Sequence, residues 1–164
     1  SVAADLSTFV QGRQLDDDAS IMIRMNNNVK GNLSISQIAT GQENNFTISI
    51  YGEKGALHWS QENPNYARFS KIGSADQIIT RGGAIQNKHS YAPIRIPPGH
   101  PEGYLEGFAQ IYSDAADIIL NHKDKSDLLS LLPGGESGLQ IMKFINASVN
   151  SSKNNSNWTD LSSI

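Results

Sequence analysis

The segment ISIYGEKGALHW, residues 48–59, decides the fold of this chain. Apolar and polar side chains alternate as far as Tyr51, a tight turn Gly52-Glu53-Lys54-Gly55 follows, and a second such run begins at once. Alternation at period two is typical of a strand with one buried face. Two alternating runs joined by a short glycine-flanked turn therefore predict a β-hairpin.

The runs on both sides of this hairpin alternate in the same way. Strands are predicted over residues 2–10, 19–25, 31–38, 57–60, 66–72 and 77–80. Asn26, Asn27 and Asn28 form a turn between two of them, because asparagine tolerates left-handed backbone angles. The result is a meander of about five to seven antiparallel strands in one broad sheet.

Residues 81–103 lack any regular pattern, since glycines and prolines interrupt them, among them Gly82, Gly83, Pro93, Pro97, Pro98, Gly99 and Pro101. A loop of about twenty residues inside a compact domain is expected to be functional or to be held by a partner.

Two helices follow this loop. Apolar residues recur at three- and four-residue steps in Tyr104, Leu105, Phe108, Ile111, Tyr112, Ala115, Ile118 and Ile119, which predicts a helix packed on a sheet face. A second helix is predicted over residues 135–150, with Leu139, Met142, Ile145 and Val149 facing inward, and Trp158 would close a final edge strand. Strands followed by helices indicate the α+β class, with a large, open, mostly antiparallel sheet and helices packed on one face.

The opposite sheet face is predicted to be half-polar and open. It would carry Ser20, Met22 and Arg24 on one strand, and on the next strand either Asn32, Ser34 and Ser36 or Leu33 and Ile35. Such a face often meets another domain or subunit, so a homo-oligomer is expected.

Composition narrows the classes of function. The 164 residues are expected to form a single domain, and a net charge of -3 argues against nucleic acid as a partner. The chain contains no cysteine, which excludes disulfides, thiolate catalysis and thiolate zinc sites and is consistent with a cytoplasmic protein. No membrane-spanning segment or signal peptide is evident, so no membrane partner is expected.

Several blocks in order resemble one family. They are DDDASIMIRM (16–25), SQIATGQENNF (36–46), IYGEKGALHW (50–59), QENPNYARF (61–69), TRGG (80–83) and RIPPGHPEGYLEGFAQIY (95–112). Together these blocks resemble the C-terminal domain of the Gfo/Idh/MocA oxidoreductases. The resemblance extends over nearly the whole chain, from about residue 1 to residue 157.

The resemblance implies a division of labour. Members of this family couple an N-terminal Rossmann domain, which binds NAD or NADP, to an α+β domain that shapes a sugar or cyclitol pocket and builds the oligomer. The glycine-rich nucleotide turn and the Glu-Lys-Pro motif of the family do not occur in this sequence. We therefore expect the dinucleotide-binding domain to lie outside this chain, which would be part of a longer enzyme and inactive alone.

His100 is the first candidate for contact with a substrate, because Pro98-Gly99 and Pro101 restrict its backbone. Its ring would hydrogen-bond a sugar hydroxyl or accept a proton, or else it caps the following helix. Arg81 and Arg95 flank the same loop, and a guanidinium group binds vicinal hydroxyls or carboxylates through two contacts. Loop arginines also pair with the body of a protein.

Two amides complete the set of predicted substrate-binding residues. Gln37 and Asn44, with Asn45 beside it, stand at strand ends and would reach polyols, although turn formation explains them as well. We expect Lys54 at the hairpin tip to contact solvent, and no metal site is predicted, since His58, His89 and His122 show no ligand spacing. No catalytic or cofactor-binding residue is predicted in this chain.

Two functions remain open. The first, which the resemblance implies, is the substrate-binding and oligomerisation domain of an NAD(P)-dependent oxidoreductase that acts on a sugar, cyclitol or similar polyol. The second is a stand-alone binding or assembly module without catalytic activity.

Overall fold

The computed structural model describes residues 1–83, 94–120 and 132–163. The strands in these ranges are β1 (Val2–Ser7), β2 (Asp18–Arg24), β3 (Lys30–Ser36), β4 (Thr47–Gly52), β5 (Gly55–Ser60), β6 (Tyr66–Lys71) and β7 (Gln77–Thr80). The helices are α1 (Tyr104–Leu120) and α2 (Gly135–Lys153), with short 3-10 turns at Asn26–Asn28 and Leu161–Ser163.

The predicted α+β class with antiparallel strands is confirmed. The strands form two sheets, however, in the orders β1-β2-β3 and β4-β5-β6-β7, where the sequence predicted one. Between β3 and β4, the left-handed residues Gly41 (φ 88°), Glu43 (φ 50°) and Asn45 (φ 40°) interrupt the extended backbone. Alternation identifies strands and their faces, but it does not specify which strands pair, so this division was not predictable from it.

Contacts divide the chain into two compact units, of which the first comprises Ser1–Gly41 and Leu129–Ile164. In this unit α2 covers one face of the sheet β1-β2-β3. The core of the unit consists of Val2, Ala4, Ile21 and Ala147, with Ile23, Leu33, Phe144 and Leu161 packed against it.

The other face of this sheet is open, as predicted. Met22 pairs with Asn32 and Ser20 with Ser34, which places these four side chains on the face away from α2. Met22 is 52% exposed there. Of the two alternatives for β3, the polar one is therefore correct, because Leu33 points to the core. The predicted turn at Asn26–Asn28 is also confirmed.

The inward face of α2 differs from the prediction. Three residues that we expected to face inward, Leu139, Met142 and Ile145, are between 45% and 54% exposed. The buried residues are Ala147, Ser148 and Ser151 instead, and Val149 is partly buried. Small side chains let the helix approach β1 closely, which apolar periodicity alone does not reveal.

Ser151 joins the helix to the sheet. It is fully buried, its Oγ accepts a hydrogen bond from the Ala4 amide at 2.9 Å, and it donates one to the Asn157 carbonyl at 2.7 Å. Thr159, not Trp158, then makes an isolated bridge to Val2, so the predicted edge strand is reduced to one residue pair.

The second unit is Gln42–Leu128 and contains the sheet β4-β5-β6-β7 with α1. The predicted hairpin is confirmed, with Gly52 paired to Gly55 across the turn. One face of this sheet is apolar: Ile50 lies opposite Leu57, which lies opposite Phe69.

The apolar side of helix α1 is exposed, whereas the prediction placed it against a sheet. Its apolar stripe, which comprises Leu105, Phe108, Ile111, Tyr112 and Ile119, is between 48% and 78% exposed. The partly buried residues of the helix are polar, apart from Ile118; they are Glu106, Gln110, Ser113, Asp114 and Asp117. The predicted packing of the stripe on a sheet is therefore wrong for the described residues, because polar contacts hold the other side of the helix.

Neither described helix combines the length and the apolar character needed to cross a membrane.

Replacing Ser151 tests the contact between α2 and β1. In Ser151→Ala the Ala4 amide and the Asn157 carbonyl lose a buried partner, and the free energy of unfolding should fall by about 1–3 kcal/mol. Urea denaturation followed by circular dichroism measures the change. Ser34→Ala, on the exposed face of the same sheet, is the control and should change stability by less than about 0.5 kcal/mol. Equal effects of the two substitutions would contradict the assignment.

Candidate functional site

Three segments of the second unit meet at one end of the strand pair β6-β7. The pair ends at Tyr66 and Thr80, which are partners, so Asn65 and Arg81 lie side by side just beyond it. The Arg81 amide donates a hydrogen bond to the Asn65 carbonyl at 2.9 Å. Residues 94–103, which lead into α1, form the third segment.

An ion pair between Arg81 and Glu102 fastens the third segment to the strand pair. The Arg81 Nη1 atom lies 3.3 Å from Glu102 Oε2, and these side chains are only 16% and 8% exposed. The other carboxylate oxygen accepts hydrogen bonds from the backbone amides of Arg95 at 2.7 Å and Ile96 at 2.8 Å. Charge-assisted bonds of this kind are stronger than neutral ones, especially away from water.

Asn65 completes this network with its side-chain amide. Its Oδ1 accepts from Arg81 Nε at 2.8 Å and from the Glu102 amide at 3.1 Å. Its Nδ2 donates to the Glu102 carbonyl at 2.8 Å. The side-chain amide of Asn65 thus bonds to both Arg81 and Glu102. We call Asn65, Arg81 and Glu102 the clamp.

A glycine makes room for the same segment. Gly82 has a φ of 74°, and a Cβ atom at this position would lie 2.9 Å from Cγ of Pro98. A side chain would therefore be strained by the backbone angle and would collide with the proline ring. The backbone after β7 and the turn at residues 97–100 can approach closely only because this residue is glycine.

Arg95 is fixed mainly by α1. Its Nη2 donates to Ser113 Oγ at 2.8 Å and to Gln110 Oε1 at 3.3 Å, while the side chain as a whole remains exposed. These bonds occupy the polar side of the helix.

His100 presents its ring to solvent. Its amide donates to the Pro97 carbonyl at 3.2 Å, and its carbonyl accepts from Arg81 Nη2, so its backbone is held from both sides. Within the part of the chain that the structure describes, its imidazole makes no hydrogen bond. One donor and one acceptor of the neutral ring are therefore available to a ligand.

The remaining two predicted site residues have other partners. Gln37 belongs to the first unit, where its amide donates to the Asp17 carbonyl at 2.8 Å and its side chain is exposed. Asn44 belongs to the second unit and donates from Nδ2 to Gln61 Oε1. The structure thus brings together Arg81, Arg95 and His100 of the five predicted residues.

Sequence reasoning did not assign Asn65 and Glu102 to the site. In the sequence Asn65 follows Pro64 between two predicted strands, and Glu102 is an acidic residue just before a predicted helix. Both lie next to or near prolines that interrupt the regular pattern, and this clustering was the available signal. No periodicity connects two residues that are 37 positions apart.

An apolar groove of about 580 Å³ lies elsewhere in the second unit, at the tip of the hairpin. Its lining includes the apolar residues Ile50, Leu57 and Phe69 and the charged residues Lys54 and Lys71. None of the five predicted site residues lines it. Its apolar side chains cannot hydrogen-bond hydroxyl groups, so we place the candidate site at the clamp.

The described residues contain no group of three side chains that could ligate a metal. His58 is hydrogen-bonded instead, with Nδ1 2.9 Å from Ser49 Oγ. His89 and His122 lie outside the described residues.

Comparison with known proteins finds several that resemble this chain. Residues 1–58 match the model of the GFO/IDH/MocA C-terminal domain. The uncharacterised oxidoreductase YfiI of Bacillus subtilis is 28% identical over 160 residues, which cover 95% of this chain and 41% of that protein. The resemblance stated above is thereby confirmed, and the chain spans less than half the length of this relative.

Solved structures agree over the whole chain. An oxidoreductase from Sinorhizobium meliloti is 42% identical with a TM-score of 0.91, over 97% of this chain and 45% of that one. An inositol dehydrogenase homologue from Azotobacter vinelandii, complexed with NADH and myo-inositol, is 24% identical with a TM-score of 0.85, over 97% of this chain and 43% of that one. At that identity, the second likeness supports the fold alone.

The start of α1 makes a testable electrostatic prediction. The Gly103 amide donates to Glu106 Oε2 at 2.8 Å, and this bond, together with one from the Glu106 amide, lowers the pKa of the Glu106 carboxyl below its ordinary 4.5. The stabilisation is therefore complete above the unfolded-state pKa and is lost as the pH falls through the lower folded-state pKa. Two-dimensional NMR should show the Gly103 amide shift titrating with a midpoint below 4.5.

The variant Glu106→Gln should abolish this titration of the Gly103 amide. Glu136→Gln, in the first turn of α2, is the matched control and should leave it unchanged. A midpoint at or above the ordinary value, or the same titration in Glu106→Gln, would refute the assigned cause.

Proposed function

We propose that this chain, whose residues 1–58 match the GFO/IDH/MocA C-terminal domain, is the substrate-binding and oligomerisation domain of an NAD- or NADP-dependent oxidoreductase. The substrate is a sugar, a cyclitol or a similar polyol. The observation that carries the proposal is the whole-chain likeness to the Sinorhizobium meliloti oxidoreductase, which is 42% identical over 97% of this chain.

The chemistry of the clamp region supports a polyol as substrate. The exposed His100 ring carries two nitrogen atoms that can hydrogen-bond hydroxyl groups, and Arg95 belongs to the same segment, which the clamp holds. Hydroxyl groups both donate and accept hydrogen bonds, so a polyol matches such mixed partners. A protein of the same fold that is complexed with NADH and myo-inositol is consistent with this substrate class.

Arg81 has a different role in this proposal from the one first considered. Its guanidinium bonds to Asn65, Ile96, His100 and Glu102, all within the protein. It therefore stabilises the backbone of the segment that carries His100, and His100 contacts the substrate.

The cofactor is assigned to the rest of the enzyme. Every strand pair in the described residues is antiparallel, and no glycine-rich turn there joins a strand to a helix. A dinucleotide site of the usual kind needs a parallel βαβ unit with such a turn. The described residues do not fit this group, so no step of hydride transfer is assigned to them. Their contribution is to orient the substrate and to exclude water.

Two surfaces of the chain suit the assembly of the enzyme. The exposed apolar stripe of α1 is assigned to the additional domain, because relatives are more than twice as long as this chain. The open face of β1-β2-β3, with Met22 at its centre, is assigned to a second copy of the chain. Both assignments would bury surface that is exposed to solvent in this chain.

A polyol titration tests the substrate class. We expect myo-inositol to shift the His100 ring signals in ¹H–¹³C NMR spectra, with an affinity on the order of millimolar because half of the pocket belongs to another domain. NADH should not bind in calorimetry, and the chain alone should not turn over substrate.

Matched histidine variants make this test specific. His100→Ala should lose the polyol response, whereas His58→Ala should keep it, because that ring is already bonded to Ser49. A polyol response that is unchanged in His100→Ala, no response in the wild type, or micromolar binding of NADH would each count against the proposed function.

The open sheet face makes a separate prediction about assembly. In Met22→Lys a charge is placed at the centre of the surface assigned to the second copy, and the dissociation constant of the dimer should rise at least about tenfold. Sedimentation velocity over a range of concentrations measures it. Met25→Lys adds the same charge at a similarly exposed methionine (56% against 52%) beyond the strand and should have little effect. A wild-type chain that stays monomeric at high concentration would exclude this surface.

A further inference from the structure

We propose that Glu102 is the positioning residue of the candidate site. With Asn65 and Arg81 it holds residues 94–103 in one conformation and so determines where the His100 imidazole meets a polyol. This inference rests on the proposed function for the identity of the ligand, and its physical basis is independent of the ligand.

The segment that carries His100 is irregular. Residues 94–103 contain no helix or strand, so no regular hydrogen-bond ladder holds them. Pro97, Pro98 and Pro101 cannot donate backbone hydrogen bonds. A segment of this kind keeps a single conformation only if side chains bond to its backbone, and the clamp provides those bonds.

The Glu102 carboxylate makes several of the bonds that hold this segment. Glu102 accepts from two successive amides, those of Arg95 and Ile96, through Oε1 and pairs with Arg81 through Oε2. At 8% exposure this side chain is among the most enclosed in the segment, and water cannot readily replace its partners. Loss of the carboxylate would therefore release both amides and leave the Arg81 charge partly buried without its counter-charge.

Arg81 connects this carboxylate to His100. Arg81, which Glu102 neutralises, also donates to the carbonyls of Ile96 and His100. These two carbonyls bracket the turn at residues 97–100, and the His100 amide closes that turn on the Pro97 carbonyl at 3.2 Å. The imidazole is fixed only through this backbone, since it makes no hydrogen bond in the described part of the chain.

Asn65 sets the distance between the segment and the sheet. It is held beside Arg81 at the end of β6-β7, and it bonds to both the amide and the carbonyl of Glu102. The position of the segment therefore follows the position of the strand pair. Neither Asn65 nor Glu102 needs to touch the substrate for its loss to weaken binding.

Amide hydrogen exchange of this chain, read by NMR, tests the clamp directly. In Glu102→Ala the protection of the Arg95 and Ile96 amides should fall at least about tenfold, and the His100 ring signals should move towards their random-coil positions. Glu102→Gln keeps an acceptor oxygen in the same place and should restore part of this protection. Glu136→Gln, in the other unit, is the control and should leave all of these signals unchanged.

The outcomes separate the two proposals. Unchanged amide protection and unchanged His100 signals in folded Glu102→Ala would overturn the positioning role. If Glu102→Ala does not fold, the same measurements are made on Asn65→Ala and Glu102→Gln, which disturb the fold less. Weaker polyol binding in Glu102→Gln, with the final His100 shift at saturation retained, supports positioning. A wild type that binds no polyol overturns the proposed function, while the amide protection still decides whether the clamp holds the segment.

Discussion

The ion pair between Arg81 and Glu102 is the interaction on which the candidate site depends. It joins the end of a strand pair to a segment without secondary structure, and its two side chains are largely removed from water. An isolated pair on a surface would contribute little. Here each partner also bonds to backbone groups, so the pair organises a segment of the chain as well as balancing two charges.

Much of the fold could be predicted because strand periodicity is local. The hairpin at Gly52–Gly55, the asparagine turn and the extent of most strands follow from alternation and turn chemistry. The division into two sheets does not, because pairing depends on contacts between distant residues. The inward face of α2 was missed for a related reason: Ala147 and Ser151 are small, and apolar periodicity gives weight to large side chains.

The candidate site shows the same limit. His100, Arg81 and Arg95 stand out because a run of prolines and glycines surrounds them. Asn65 lies 37 positions before Glu102. The antiparallel pairing of β6 with β7 places Asn65 beside Arg81, and the ion pair of Arg81 with Glu102 brings both to the start of α1. Gln37 and Asn44 resemble the others in sequence, but the fold places Gln37 in another unit. Residue type alone therefore could not separate residues that bond to the segment from residues that bond to other partners.

The outward apolar stripe of α1 has a consequence for the life of the protein in a cell. As long as no other surface covers them, Leu105, Phe108 and Tyr112 offer a hydrophobic binding site to chaperones and to other nascent chains. If the additional domain proposed above covers this helix, the same residues distinguish an unassembled molecule from an assembled one.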